Sequence, residues 1–365
     1  MPTITFHPGI LRMNLNQPTP LPLVVNLHGL RLAFQSPDPP LRDHFELVYG
    51  HLPRVEGVES DVFIGWHIHK LPTAPPPPPG MPVISEGKLI SYYGQGHLVA
   101  IRMPKYGLIT VDLDHQRLVG AVTRNTLEAY GAFEDVMMIS LAPLYRRRGW
   151  FPLHAFAALA PNGQVALITG EMGSGKTTTG LALLSVGWKL LSNDSPLLRW
   201  QNGQVEVLAY PGRLSAFDDS LARFEALKRF IPEDKVEAEM INLLAPAGPQ
   251  KRVFRAEEGF IEPWGVSGVA GGIFFPEVTP GLTQSELIEV APKEALLALM
   301  PQAVEGWDKA AIGQTMRLLG ELVEQVRCYQ LKLSPQVEQL PGLIARGMSF
   351  RPAKRGGIPL TQPLA

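Results

Sequence analysis

The sequence contains a single cysteine, Cys328, so no disulfide within the chain can brace the fold. That usage fits a reducing compartment. Cys328 is read as a small buried apolar residue on a helix rather than a reactive thiol. Long hydrophobic runs are also missing. Windows such as residues 268–275 are too short to cross a bilayer, which takes about 20 apolar residues. Residues 1–25 carry neither the basic segment nor the unbroken apolar core of a secretory signal. The expectation is a cytoplasmic protein with no membrane partner. Excess charge of one sign is absent too. The formal net charge is −1, which gives no global electrostatic case for nucleic acid, and no nucleic-acid reader motif occurs. What is present is apolar: 45% of residues are hydrophobic and 18% charged, enough to bury a core and to exclude global disorder.

Periodicity divides the chain into a β-rich region over 1–125, a second region over 126–345 and a flexible tail over 346–365. In the first region, 21–27, 45–49, 62–69, 98–103 and 108–113 read as strands separated by Gly and Pro turns. Pro75 to Pro79 form an unbroken run of prolines, which excludes helix and strand and reads as a stiff surface loop. From Asn125 to Tyr145 the spacing becomes helical, and Arg146-Arg147-Arg148 read as the solvated end of that helix. Helices are expected over 218–230, 292–300 and 308–331, and strands over 164–169, 188–191, 205–209 and 271–275. The strand–helix–strand rhythm from 164 to 191 predicts an α/β fold.

Within that rhythm, Gly170-Glu171-Met172-Gly173-Ser174-Gly175-Lys176-Thr177 satisfies G-x-x-x-x-G-K-[ST] at every position. Glycines let the backbone adopt positive φ and turn its N–H groups around phosphate oxygens. The helix that starts at the end of the loop adds its N-terminal partial charge. Lys176 would reach the β- and γ-phosphates of ATP, and the Thr177 hydroxyl would sit on Mg²⁺. A second metal anchor is needed at the end of a buried strand, and Asp194 is the candidate.

The surrounding order resembles a known family. Phe151-Pro152-Leu153-His154-Ala155 is followed by Gly170 to Thr178 and then by Gly187-Trp188-Lys189-Leu190-Leu191-Ser192-Asn193-Asp194. Pro211-Gly212-Arg213-Leu214 and Gly271 to Phe275 match later landmarks more loosely. This arrangement resembles the HPr serine kinase/phosphorylase group and its related kinases. Their P-loop domain is also similar to that of ATP-dependent phosphoenolpyruvate carboxykinase. The resemblance covers residues 140–305, and residues 1–125 have no counterpart in it.

The resemblance implies a P-loop kinase domain, to which the strand pattern adds a β-rich N-terminal region. It implies that His154 points into the active site and touches phosphate or an acidic partner. It also implies transfer to a hydroxyl on a protein, peptide or small molecule, and an oligomer. The related kinases show two adjacent aspartates where this chain has Asn193-Asp194. An amide keeps the shape of a carboxylate but is not a base. Arg213 and Lys251-Arg252 are candidates for neutralising the γ-phosphate. A nucleotide-binding module acting through a partner is the alternative that Asn193 motivates. A carboxykinase-like lyase is a third reading, for which no arginine set is evident. Lastly, His67 and His69 share one strand face. They are read as solvent-facing, since no third metal ligand has convincing spacing and His97 and His115 are merely nearby.

Overall fold

A computed structural model of the chain describes residues 20–57, 59–232 and 251–348. The tail from residue 349 onward lies outside them. Residues 1–145 and 146–365 form two compact units. Among the described residues, no helix is long and apolar enough to cross a membrane.

The first unit is built on an eight-stranded sheet. Its order is Leu23–Leu27, Leu30–Gln35, Val62–Ile68, Arg117–Val122, Gly107–Asp112, Leu98–Met103, Ser91–Gln95 and Val83–Ser85. The second, third and fourth of these run parallel, and the remaining neighbours pair antiparallel. Parallel neighbours require a crossover, and the helix Pro39–Tyr49 supplies it. The expected strand over 45–49 is therefore helical. Proline at the start of the helix has its φ preset. Leu41, Phe45, Val48 and Tyr49 then recur at helical spacing and bury one face. Phe45 stacks on Phe34 at 4.6 Å and on Tyr49 at 4.7 Å, while Trp66 meets Phe34 and Phe133 edge-on, both at 5.9 Å. Burying each such side chain stabilises the unit by roughly 1.5–3 kcal/mol. Pro75 to Pro79 lie outside helix and strand, and Arg102 Nε donates to the Pro75 carbonyl at 2.9 Å.

The second unit contains a nine-stranded sheet. Gln164–Ile168 runs parallel to Ser267–Val278, which runs parallel to Arg327–Leu333. Phe156–Leu159 lies between Gln164–Ile168 and Lys189–Ser192, antiparallel to both. Both sheet faces are covered, which is why these strands read as unbroken apolar runs. Ala158, Ala166 and Ile168 face Leu181 and Leu184 of the helix Lys176–Leu184. Ala157, Val165 and Leu167 face the other way, into a core with Ala295, Leu299, Leu318 and Leu322. Those four residues come from the helices Pro292–Ala303 and Lys309–Gln325.

Three local expectations change. The helix expected over 308–331 ends at Gln325, and Arg327–Leu333 is a strand that carries Cys328 and alternates burial along its second half. The buried Gln325 amide explains the stop, since it accepts from Val205 N–H at 3.0 Å and donates to Gly203 O at 3.3 Å. The helix expected over 218–230 is a four-residue helix, Asp218–Leu221, followed by a 3₁₀ turn, Glu225–Phe230. Arg146 is not solvated. It is 3% exposed and its Nε donates to Asp308 at 2.8 Å, with Arg147 adding a contact of 3.1 Å. A buried, shared carboxylate of this kind is strongly destabilising to break, because the other charge is left unpaired.

His67, on Val62–Ile68, has a buried Nδ1 with no hydrogen-bond partner. Burial pushes its pKa below the ordinary histidine value and His69 adds to that, against an opposing pull from Asp38. The folded state thus favours neutral imidazole. Its contribution is complete above the unfolded value of about 6.5 and is lost as pH falls below that through the depressed folded value. The urea midpoint of the chain should fall between neutral pH and pH ~5, and His67→Asn should flatten that slope. Equal slopes in the two proteins would remove His67 as the cause.

Candidate functional site

The glycine-rich loop joins the strand Gln164–Ile168 to the helix Lys176–Leu184. Its entry is held at two points. Thr169 N–H donates to Phe274 O at 3.0 Å, and the Thr169 hydroxyl donates to His154 O at 2.8 Å. Gly170, Gly173 and Gly175 have φ of 154°, 82° and 106°, a region that side chains avoid. Glu171, Met172 and Gly173 are exposed at the tip. A Cβ on Gly175 would lie 2.3 Å from Leu333 Cδ1, and one on Gly180 would lie 2.4 Å from the Phe156 ring. The helix therefore sits directly on the sheet, and its first turn opens toward the strand ends.

Lys176 folds back over the loop and donates to the Gly170 and Glu171 carbonyls, the latter at 3.0 Å. Partial burial holds its pKa below that of a free lysine. Asp194 pulls the value up, Lys251 pushes it down and Glu171 pulls it up again. Two charges remote along the chain, Asp194 and Lys251, and one on the loop, Glu171, therefore act on Lys176. Asp194 follows the strand Lys189–Ser192, and the Ser192 hydroxyl accepts from Asp194 N–H at 3.4 Å and Ser195 N–H at 3.0 Å. The Asp194 carbonyl accepts from Ala155 N–H at 2.9 Å, which brings the two segments side by side. His154 Nδ1 lies 3.2 Å from Asp194 Oδ1, with each side chain nearly half exposed. A pair so wet adds little to stability.

Asn193 donates through Nδ2 to the Arg213 carbonyl at 3.2 Å, while its Oδ1 is buried with no partner. Ser174 Oγ and Thr179 Oγ1 are buried and unpartnered as well.

The remaining sequence candidates separate. Thr178 Oγ1 is 2.8 Å from Ser220 Oγ and ties the helix to Asp218–Leu221. Thr177 lies beside Lys176 in the first helical turn. Arg213 meets the site through its backbone carbonyl. Arg252 is engaged by Asp218 at 2.8 and 2.9 Å, which gives it a structural role. Lys251 pairs with Phe217 across the two-stranded ribbon Leu214–Phe217 and Lys251–Phe254, and its Nζ lies 5.3 Å from the Phe217 ring centre. Sequence reasoning singled out Asn193 but missed the contacts of Ser192 and Ser220, which have no signal beyond a common residue type.

No protein-family model matches the chain, and no curated protein matches it in sequence. Among solved structures, the chain is similar to the HPr(Ser) kinase/phosphatase from Coxiella burnetii at 12% identity, over 53% of this chain and 94% of that one, with a TM-score of 0.29. The chemistry of the site is accordingly read from its own residues.

Alanine usually stabilises a helix interior over glycine by about 1 kcal/mol. At Gly180 the sign should reverse, because the added methyl meets a ring that is 0% exposed. Gly180→Ala is expected to lower stability by roughly 1–3 kcal/mol in urea titration. A stabilised variant would contradict the close helix–sheet contact.

Proposed function

We propose that the chain is an ATP-dependent phosphotransferase that moves the γ-phosphoryl group of ATP to a hydroxyl acceptor. The observation that supports this reading is the convergence of His154, Lys176 and Asp194 around one glycine loop, with the His154–Asp194 contact at 3.2 Å. The loop N–H groups and the start of the helix would hold the phosphates of ATP. Lys176 would exchange its two loop carbonyls for phosphate oxygens and stabilise charge during transfer.

The donor set also suits Mg²⁺, which prefers hard oxygen ligands. Thr177 and Asp194 would hold it, and it would supply charge neutralisation at the β- and γ-phosphate oxygens. The acceptor hydroxyl would approach the γ-phosphoryl group next to His154 and Asp194. The proton of that hydroxyl would pass to the His154–Asp194 pair. Phosphoryl transfer depends more on positioning than on deprotonation, which is compatible with an amide at 193.

A second reading is a nucleotide-binding module that acts through a partner without transfer. Asn193 favours it, since its amide is committed to the Arg213 carbonyl where a carboxylate would otherwise offer a base.

The two readings separate with γ-labelled ATP, Mg²⁺ and a cell extract as acceptor pool. Transfer predicts label on an acceptor with the wild-type chain. It also predicts a loss of about 10²-fold or more in His154→Asn, in line with removal of a proton-transfer group. Label that stays on ATP, or goes only to water, in a chain that binds ATP would sink the transferase reading and leave the module.

A further inference from the structure

The first unit holds a second cluster of chemistry-bearing side chains, independent of the glycine loop. Two neighbouring hairpin turns contribute. His97 lies in the turn between Ser91–Gln95 and Leu98–Met103, and Asp112 and His115 flank the turn between Gly107–Asp112 and Arg117–Val122. Leu113 N–H donates to the His97 carbonyl at 3.0 Å, which clamps one turn to the other. Gly96 and Gln116 have φ of 60° and 53°, so each turn reverses sharply next to a histidine.

We propose that His97, Asp112 and His115 form a zinc-binding site. One nitrogen from each imidazole and one carboxylate oxygen lie within 4.8 Å of one another. His115 Nδ1 is 2.9 Å and His97 Nε2 is 3.8 Å from the same oxygen, Asp112 Oδ2. Zinc with ligands at ~2.0–2.1 Å in a tetrahedron needs ligand–ligand edges of roughly 3.3 Å. Those two edges bracket that figure, and the third, between the two imidazole nitrogens, is within 4.8 Å.

The supporting contacts have the form that metal-binding histidines use. Asp112 Oδ1 is taken by the His115 backbone N–H at 2.9 Å, which leaves Oδ2 turned toward the rings. His97 Nδ1 faces Asp114 Oδ2 at 3.5 Å, so a carboxylate outside the ligand set can orient that imidazole and leave Nε2 for the metal. Two imidazoles favour zinc over Mg²⁺ or Ca²⁺, whose ligands are oxygens. Three protein ligands leave one position for water or an incoming donor. The site also explains how the spacing hid it. His67 and His69, the pair weighed in the sequence, do not join the cluster, whereas His97 and His115 meet because Leu98 pairs with Asp112 in the neighbouring strand.

The test is calorimetric titration of the full, tag-free chain with zinc at neutral pH. One zinc per chain is expected, with affinity weakened more than tenfold in His97→Gln and in His115→Gln. Asp114→Asn should weaken it by about tenfold or more, as loss of an outer-shell partner does. Cobalt in place of zinc should give a tetrahedral absorption spectrum that both histidine variants lose. No zinc bound by the wild type, or equal affinity in the variants, would overturn the proposal. If a variant misfolds, carbethoxylation of the wild type decides instead. Zinc should protect His97 and His115 and leave His44 reactive, and equal labelling of all three would contradict the site.

Discussion

The candidate site depends on how closely the helix Lys176–Leu184 approaches the sheet beneath it. Glycine at 180 allows that approach, because any side chain there would enter the Phe156 ring. Glycine at 175 allows the turn that begins the helix, with φ of 106° against Leu333. With both in place, the first helical turn is fixed relative to the ends of Gln164–Ile168 and Lys189–Ser192. Asp194 is then near enough to Lys176 to oppose the fall in its pKa that burial causes. A larger residue at either glycine would lift the helix, and the loop would lose its position over the strand ends.

Electrostatics then divides the charged residues by exposure. Arg146 and Asp308 are buried together, and Arg252 is held by Asp218, so these charges serve the fold. His154 and Asp194 are paired but wet, and Lys176 is held below its ordinary pKa. The unpartnered Ser174 Oγ and Asn193 Oδ1 belong to the same surroundings, one on the loop and one beside Asp194.

Much of this was legible in the sequence because it is local. The glycine spacing from 170 to 177 predicts the turn and the helix, and the apolar run 164–169 predicts the strand that feeds it. His154 came from resemblance, and the structure places its Nδ1 beside Asp194 Oδ1. What was not legible depends on partners far along the chain. Phe45 to Tyr49 read as a strand because five residues carry too little periodicity, yet the residues from Pro39 onward make the helical face plain. The strand Arg327–Leu333 was absorbed into the preceding helix because Val326 and Cys328 extend an apolar stripe; the Gln325 hydrogen bonds that end the helix come from residues 203–205. Arg146 read as solvated because Asp308 is its partner only in three dimensions.

The central claim is that the loop from Gly170 to Thr177 binds a nucleoside triphosphate. Calorimetric titration of Mg-ATP into the wild-type chain and into Lys176→Ala tests it most directly. The account predicts one binding site in the wild type and affinity weakened by at least tenfold in the variant, since a charged contact to phosphate is lost. No ATP binding by the wild type, or the same affinity in both proteins, would contradict it.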